Sequence, residues 1–465
     1  MIRFLLIAIL LAVVVFQIQG EKVPINEGAG LEGVPLRIVA EGFTDQFDDE
    51  GYDAFVIHRI LPYALVNSIF VIFDFDMDPE SLLHGILIFN FLILLLGCYW
   101  YFKLTKKLRS SVSMEILGFV LLFGNFLVLK ISWYEAFHPG LFALVLGIGQ
   151  ANYFIRYEKT KLFLVSLIGG FVWPTLFPIG MVLIFLPSDK IVFRENENSL
   201  LGIYLIPTVL CCVLTLIGVY FTGTEHGVIW FGLGLLTLAS MVYFGLNASG
   251  VSWIKSFQLL QKRMKPERLA YLATSVAVYF LIISLLSVGK SEFGIVDFLK
   301  GIAVQGAERP LMFLISQFAF YGILIPIILV FFSRICREAG KLGLGFMVVF
   351  ILIMILVFYA DAYWWVQAIP FMVLLVLKGL RRYSLVNKDI WVLSLLSLLL
   401  SKFWFKINVE DLDQYILQNT DSWIAQRYFQ HFGLMQSELV YYIYIIVFLA
   451  ASALIFLGKK RYAKS

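Results

Sequence analysis

The chain has 465 residues, of which 60% are hydrophobic and only 15% charged, and its mean hydropathy is +0.88. A soluble globular chain carries about 25% charged and 45–50% apolar residues, so water is not the main solvent here, and the apolar runs leave no length for a separate soluble domain. The net charge of +4 gives no support to nucleic-acid binding, because in a membrane protein the side on which the basic residues lie matters more than their sum.

Arg3 precedes an apolar stretch, Phe4 to Phe16, that reads either as a signal peptide or as a retained first span. Further apolar runs lie at 82–102, 114–132, 138–155, 162–187, 199–221, 226–246, 269–289, 311–332, 343–360, 363–380, 389–405 and 438–458, and most suit one helix each. Gly169, Gly170, Pro174, Pro178 and Pro187 interrupt the run 162–187, which predicts two half-helices or a re-entrant hairpin. The expected fold class is all-α: one polytopic transmembrane helical bundle over 1–465, with about 12–14 spans including that hairpin. Within it, 20–81 reads as an extracytoplasmic acidic loop with an interfacial helix, and 406–437 as a second extracytoplasmic segment.

Basic residues test this topology. With the N-terminus inside and 162–187 entering and leaving by one face, 26 of the 36 Lys and Arg fall on the cytoplasmic side and 10 outside. That bias follows the positive-inside rule, and treating 162–187 as one ordinary span would expose Lys262 to Arg268 outside. Both termini are then cytoplasmic, and all five histidines lie at or near the outer face. Cys98, Cys211 and Cys212 fall in apolar runs and Cys336 in a basic loop, so no disulfide is expected. Neither an internal repeat nor a Walker or Rossmann glycine pattern occurs, which argues against an ATP-driven pump.

The first outer loop packs Glu41, Asp45, Asp48, Asp49, Glu50 and Asp53 ahead of His58 and Arg59. Such a carboxylate can remove a proton from a sugar hydroxyl or hold a divalent metal, although the sequence requires no metal. Each acid taken singly is also explained by a solvated loop. Arg59 can fork onto a phosphate with two parallel hydrogen bonds. After it, Ile60 to Phe73 reads as an interfacial helix, and the acids Asp74, Asp76, Asp78 and Glu80 as the start of the next helix. Glu135 and His138 share a face if a helix extends over them, while His138 before Pro139 equally suits a cap. Arg309, ahead of Pro310 and a span, sits at phosphate depth, where snorkelling explains it as well. Asp361 with Tyr363, Trp364 and Trp365 suits either a sugar-stacking platform or an aromatic belt. Arg427 closes the outer set of cations. Only uncharged polar residues such as Asn90, Asn125 and Gln317 are expected inside the spans.

A first span, an acidic outer loop with an interfacial helix from Asp45 to Phe73, many further spans with half-helices, and a basic C-terminus together resemble the GT-C superfamily of membrane glycosyltransferases. The stretch Tyr52 to Pro62, with Asp53, His58 and Arg59, is similar to a segment of its bacterial members. The resemblance implies a bacterial inner-membrane enzyme whose first-loop acid is the catalytic base. Asp53 and then Asp45 rank first for that role, followed by Asp49. It implies a polyprenyl-phosphate sugar as donor, with a glycan or lipid expected as acceptor; of the residues read above, His58, Arg59, Glu135, His138, Arg309, Asp361 and Arg427 are the expected substrate-binding set. Two alternatives stay open: a polysaccharide polymerase or ligase using lipid-linked donors, and a secondary transporter or flippase, which broken helices also mark.

Overall fold

The computed structural model describes residues 2–193, 251–289, 312–408 and 438–462, apart from positions 31, 50, 192, 360, 384 and 385. Among them the fold is all-helical, with no β-strand. The helices are α1 (Ile2–Ile18), α2 (Val34–Asp49), α3 (Ala54–Ile57), α4 (Ile60–Phe73), α5 (Pro79–Leu108), α6 (Val112–Phe123), α7 (Leu127–Tyr134), α8 (Gly140–Arg156), α9 (Lys159–Gly170) and α10 (Leu176–Phe185). They continue with α11 (Trp253–Arg263), α12 (Pro266–Leu286), α13 (Met312–Tyr321), α14 (Leu324–Val330), α15 (Phe332–Lys341), α16 (Leu344–Leu356), α17 (Ala362–Leu380), α18 (Asn387–Leu400) and α19 (Glu438–Tyr462).

Four of these, α5, α12, α17 and α19, are long and apolar enough to cross a membrane, which is the mark of an integral membrane protein. The pair α6 and α7 makes a fifth if its 59° bend lies within one span. Asn125 explains the bend: its buried side chain donates to Leu122 O (2.8 Å) and accepts from the Val128 N–H (3.1 Å), replacing ladder bonds lost at the break. Several runs expected to be single spans are shorter or divided. The run 311–332 breaks into α13 and α14 at Gly322, whose φ of 60° ends a helical turn, and 343–360 yields the 13-residue α16.

The helices join two ends of the bundle. At one end Arg3 pairs with Glu115 (2.7 Å), Arg381 donates to Leu108 O and Lys459 to Val330 O. At the other, Lys130 pairs with Glu21 (2.7 Å) and Tyr134 donates to Asn408. The hairpin α9–α10 returns to the end from which it starts, since Lys159 reaches Ile184 O at 3.4 Å. Its arms touch because Gly180 faces Ser166 and Gly169 faces Leu176 where a Cβ would collide. Carbonyls freed at the proline break find donors elsewhere: Gly170 O accepts from the Tyr279 hydroxyl, Phe171 O from the Leu61 N–H and Leu176 O from the Gln150 amide. Leu61 lies in the first turn of α4, whose N–H groups have no partner within their own helix, so hairpin tip and helix start complete one another.

Three expectations need correction. Residues 34–49 form α2 rather than loop: Leu36, Val39 and Ala40 bury a helical stripe, and the Asn67 amide of α4 donates to Ala40 O at 3.0 Å. Cys336 lies buried and unbridged in α15, not in a loop, with Glu338 in the same helix held between Arg334 and Lys341. Charged residues also occur inside the run 114–132, where Glu115 and Lys130 are each 5% exposed and paired to residues flanking or within α1. The second acidic knot behaves as expected, with Asp78 capping α5 by accepting from the Ser81 N–H and hydroxyl.

Candidate functional site

The end of the bundle holding the hairpin tip gathers residues from five stretches of chain. Arg59 stands at the junction of α3 and α4 and is 6% exposed. Its guanidinium lies 3.9 Å from the Phe55 ring centroid and 4.8 Å from that of Trp173, and it donates to Phe55 O at 2.9 Å. No carboxylate lies within salt-bridge distance of it among the described residues. Burial brings its pKa down to about 10, against the pull of Glu32, Tyr63, Asp53 and Asp361, so it stays charged at neutral pH. Arg59 is thus a buried cation stacked on two aromatic rings, with acids acting on it only at longer range.

His58 neighbours it but faces elsewhere. The Tyr279 hydroxyl gives its proton to Gly170 O (2.6 Å), so the His58 Nδ1, 2.8 Å from the same hydroxyl, is the donor in that contact. Burial, then the Arg59 charge, pushes the imidazole down to about 4, and it is neutral at physiological pH.

His138 accepts from the Gly140 N–H through Nδ1 (3.0 Å), as the capping reading expects. Its proton is therefore on Nε2, which points to Glu32 Oε2 at 3.9 Å. The ring stacks on Tyr363 with centroids 3.7 Å apart. Glu135 and His138 do not share a helix face, because Glu135 ends α7 in a non-helical conformation and the two residues form a turn. They converge instead on Tyr363, whose hydroxyl lies 3.4 Å from Glu135 Oε2. Asp361 accepts from the Tyr363 N–H (2.9 Å) and starts α17. Of the aromatics after it, Tyr363 and Trp364 border the site, Trp364 lying 6.4 Å from Trp173, whereas Trp365 is core and donates to Ile353 O.

The first-loop acids divide. Asp53 is the N-cap of α3, accepting the Val56 N–H through Oδ1 (2.8 Å), which is a structural duty beside its electrostatic pull on Arg59. Asp45 is exposed near Tyr52, whose phenol is pushed up to about 12 by burial and then by the Asp45 charge. Asp49 is in α2, and its side chain, like Arg309 and Arg427 altogether, lies outside the described residues, as do His226 and His431. Among the described residues no three His, Cys, Asp or Glu side chains gather as a metal site. Two further participants come from outside the ionisable residues that the sequence singles out: Glu32, which precedes the acidic cluster, and Trp173, which lies in the proline-interrupted stretch.

No known protein family, curated protein or solved structure matches this chain.

Proposed function

We propose that the chain is a membrane glycosyltransferase that moves a sugar from a lipid-phosphate donor to a glycan or lipid acceptor at the extracytoplasmic face. One observation carries the reading: Arg59 is a buried guanidinium with no carboxylate at ion-pair distance among the described residues, clasped by Phe55 and Trp173, with Glu32, Asp53 and Asp361 near enough to act on its charge. In the reaction, a carboxylate takes the proton of the acceptor hydroxyl. The hydroxyl oxygen bonds to the anomeric carbon from the face opposite the leaving group. The bond from that carbon to the phosphate oxygen breaks, and its electron pair leaves with the phosphate, whose added charge Arg59 offsets. Asp53 remains the first candidate for the base, since its cap contact uses one oxygen and its side chain is exposed to a water-borne acceptor. The basic residues of the opposite end support an extracytoplasmic site under the positive-inside rule, and a bacterial inner membrane is part of the same proposal.

The test is transfer by purified protein from a polyprenyl-phosphate sugar to cell-envelope glycan or lipid fractions, followed by mass spectrometry. Arg59→Lys should lower turnover, since a lysine loses the bidentate fork, and Asp53→Asn should lower it by about 10²–10⁴ with donor binding retained. Full activity in Asp53→Asn with loss in Asp45→Asn would transfer the role. Movement of the lipid or of a solute across proteoliposomes with no chemical product would replace the reading by the flippase or transporter that a re-entrant hairpin also suits.

A further inference from the structure

We propose that Trp173, at the tip of the α9–α10 hairpin, is a second phosphate-binding residue beside Arg59, its indole Nε1–H donating to an oxygen of the lipid-linked phosphate. The identity of this ligand rests on the glycosyltransferase reading.

The four buried tryptophans described in this chain are Trp100, Trp133, Trp173 and Trp365. Three of them place their N–H on a partner: Trp100 on the Tyr153 hydroxyl (3.1 Å), Trp133 on Val128 O (2.7 Å) and Trp365 on Ile353 O (3.1 Å). Trp173 is 2% exposed and its Nε1 is buried, yet it has no acceptor among the described residues. A buried indole N–H without an acceptor destabilises the fold, so retaining tryptophan where phenylalanine would fill most of the space calls for a reason outside the fold. The reason is adjacent. The Arg59 guanidinium lies 4.8 Å from the Trp173 ring centroid, which holds the indole N–H within the same few ångströms.

A second polar group without a partner among the described residues lies two residues further along the hairpin. Thr175 is at the N-cap of α10, where a threonine hydroxyl ordinarily accepts from the first helical turn, but it makes no such bond, and its buried Oγ1 has no partner. Where they meet, guanidinium and indole N–H are both donors, the acids Glu32, Asp53 and Asp361 acting on Arg59 only at longer range. A neutral sugar, which offers both donors and acceptors, needs carboxylates or carbonyls in reply. A phosphate, with only acceptor oxygens and negative charge, is matched by donors alone. The hairpin break thus has a use: it brings Trp173 and Thr175 to the level of α4, to which Phe171 O is tied by the Leu61 N–H.

The experiment measures binding of a short-chain polyprenyl phosphate, and separately of inorganic phosphate, to detergent-purified full-length protein. Trp173→Phe keeps a ring beneath the guanidinium and removes the N–H. Replacing Trp173 by benzothienylalanine removes it with almost no change of volume, guarding against a packing defect in the first variant. Both should weaken polyprenyl-phosphate binding by about 10-fold or more, as expected for a hydrogen bond to a charged group, and the benzothienylalanine protein should unfold at the same temperature as the wild type or higher. Binding of inorganic phosphate alone, sensitive to the same changes, would locate the source in a free anion and refute the lipid-linked phosphate. Wild-type affinity in the benzothienylalanine protein overturns the inference and leaves the glycosyltransferase reading standing. A lower unfolding temperature in that protein would make the N–H a structural donor and overturn it too. Wild-type protein that binds neither probe removes both.

Discussion

Lys130 and Arg59 are both buried cations near the same end of the bundle, and the chain treats them in opposite ways. Lys130 is 5% exposed and meets Glu21 at 2.7 Å, and Glu21 in turn accepts the backbone N–H groups of Ile407 (2.6 Å) and Asn408 (2.8 Å). The Asn408 amide returns a bond to Lys22 O, and Lys22 closes the end of α1 by donating to Gln17 O and Ile18 O. Each polar group in this clasp answers another, and its effect is to tie α1, α7 and the 401–408 segment together. Arg59 has instead two aromatic rings, one carbonyl and acids only at longer range. A buried pair left whole is nearly neutral for stability and costly to break, whereas a buried charge without a partner is destabilising from the start. The first arrangement is what a scaffold needs, and the second suits a site completed by its ligand.

The comparison breaks most visibly at the clasp. Glu21→Ala strands Lys130 and two backbone N–H groups, and should cost about 3–5 kcal/mol of stability, read as a lowered unfolding temperature in detergent, with donor affinity unchanged in the protein still folded at low temperature. A variant as stable as the wild type would show that the clasp holds nothing. Arg59→Met has the reverse signature. Removing an unpaired buried charge should leave the unfolding temperature level or raised, while binding of polyprenyl phosphate falls by about 100-fold, the value of losing a bidentate charged contact. Loss of stability together with binding would place Arg59 among the struts. A smaller effect sharpens the scaffold side: Arg3→Gln removes the paired contact to Glu115, leaving that buried carboxylate with the Thr105 hydroxyl. Arg3 is 44% exposed at its side chain, so solvent screens part of the pair and the cost should be about 2 kcal/mol. An undiminished unfolding temperature would indicate that α1 is not seated in the bundle as described, as would be the case for a removed leader.

Much of the scaffold was legible because its signals are local. Apolar runs within the described residues became helices, Asp78 capped α5 in a pattern visible within four residues, and Gly169 to Pro178 marked the hairpin break. The candidate site was legible only where a charged or ionisable residue stands in an unusual place, as with Arg59 and His138. Glu32 reaches His138 and Trp173 reaches Arg59 through contacts set by tertiary packing, and no spacing along the chain announces them. Helix α2 was missed for a different reason: Asp45, Asp48 and Asp49 crowd its C-terminal half, where the helix dipole disfavours acids, and Gly42 interrupts it with φ −153°. Burial of its apolar stripe against α4 outweighs both.

The smallest expected effect tests whether the Arg59 neighbourhood is as apolar as its contacts indicate. His58 ordinarily would titrate near 6.5, and in the folded chain burial, then Arg59, hold it down to about 4. As pH falls below about 6.5 the unfolded chain takes up this proton and the folded chain does not, so the unfolded state is favoured progressively until about pH 4, below which both forms are protonated and the loss is complete. The His58 side chain is only partly buried, and solvent screening reduces the contribution to on the order of 1 kcal/mol. His58→Gln keeps a donor for the Tyr279 oxygen and removes the titration. Unfolding temperatures measured from pH 7 to pH 4 should therefore decline more steeply for the wild type than for His58→Gln, with the two curves level with one another near neutrality. Parallel curves across that window would mean that water reaches the imidazole freely, and the low-dielectric setting inferred for the guanidinium beside it would fail with it.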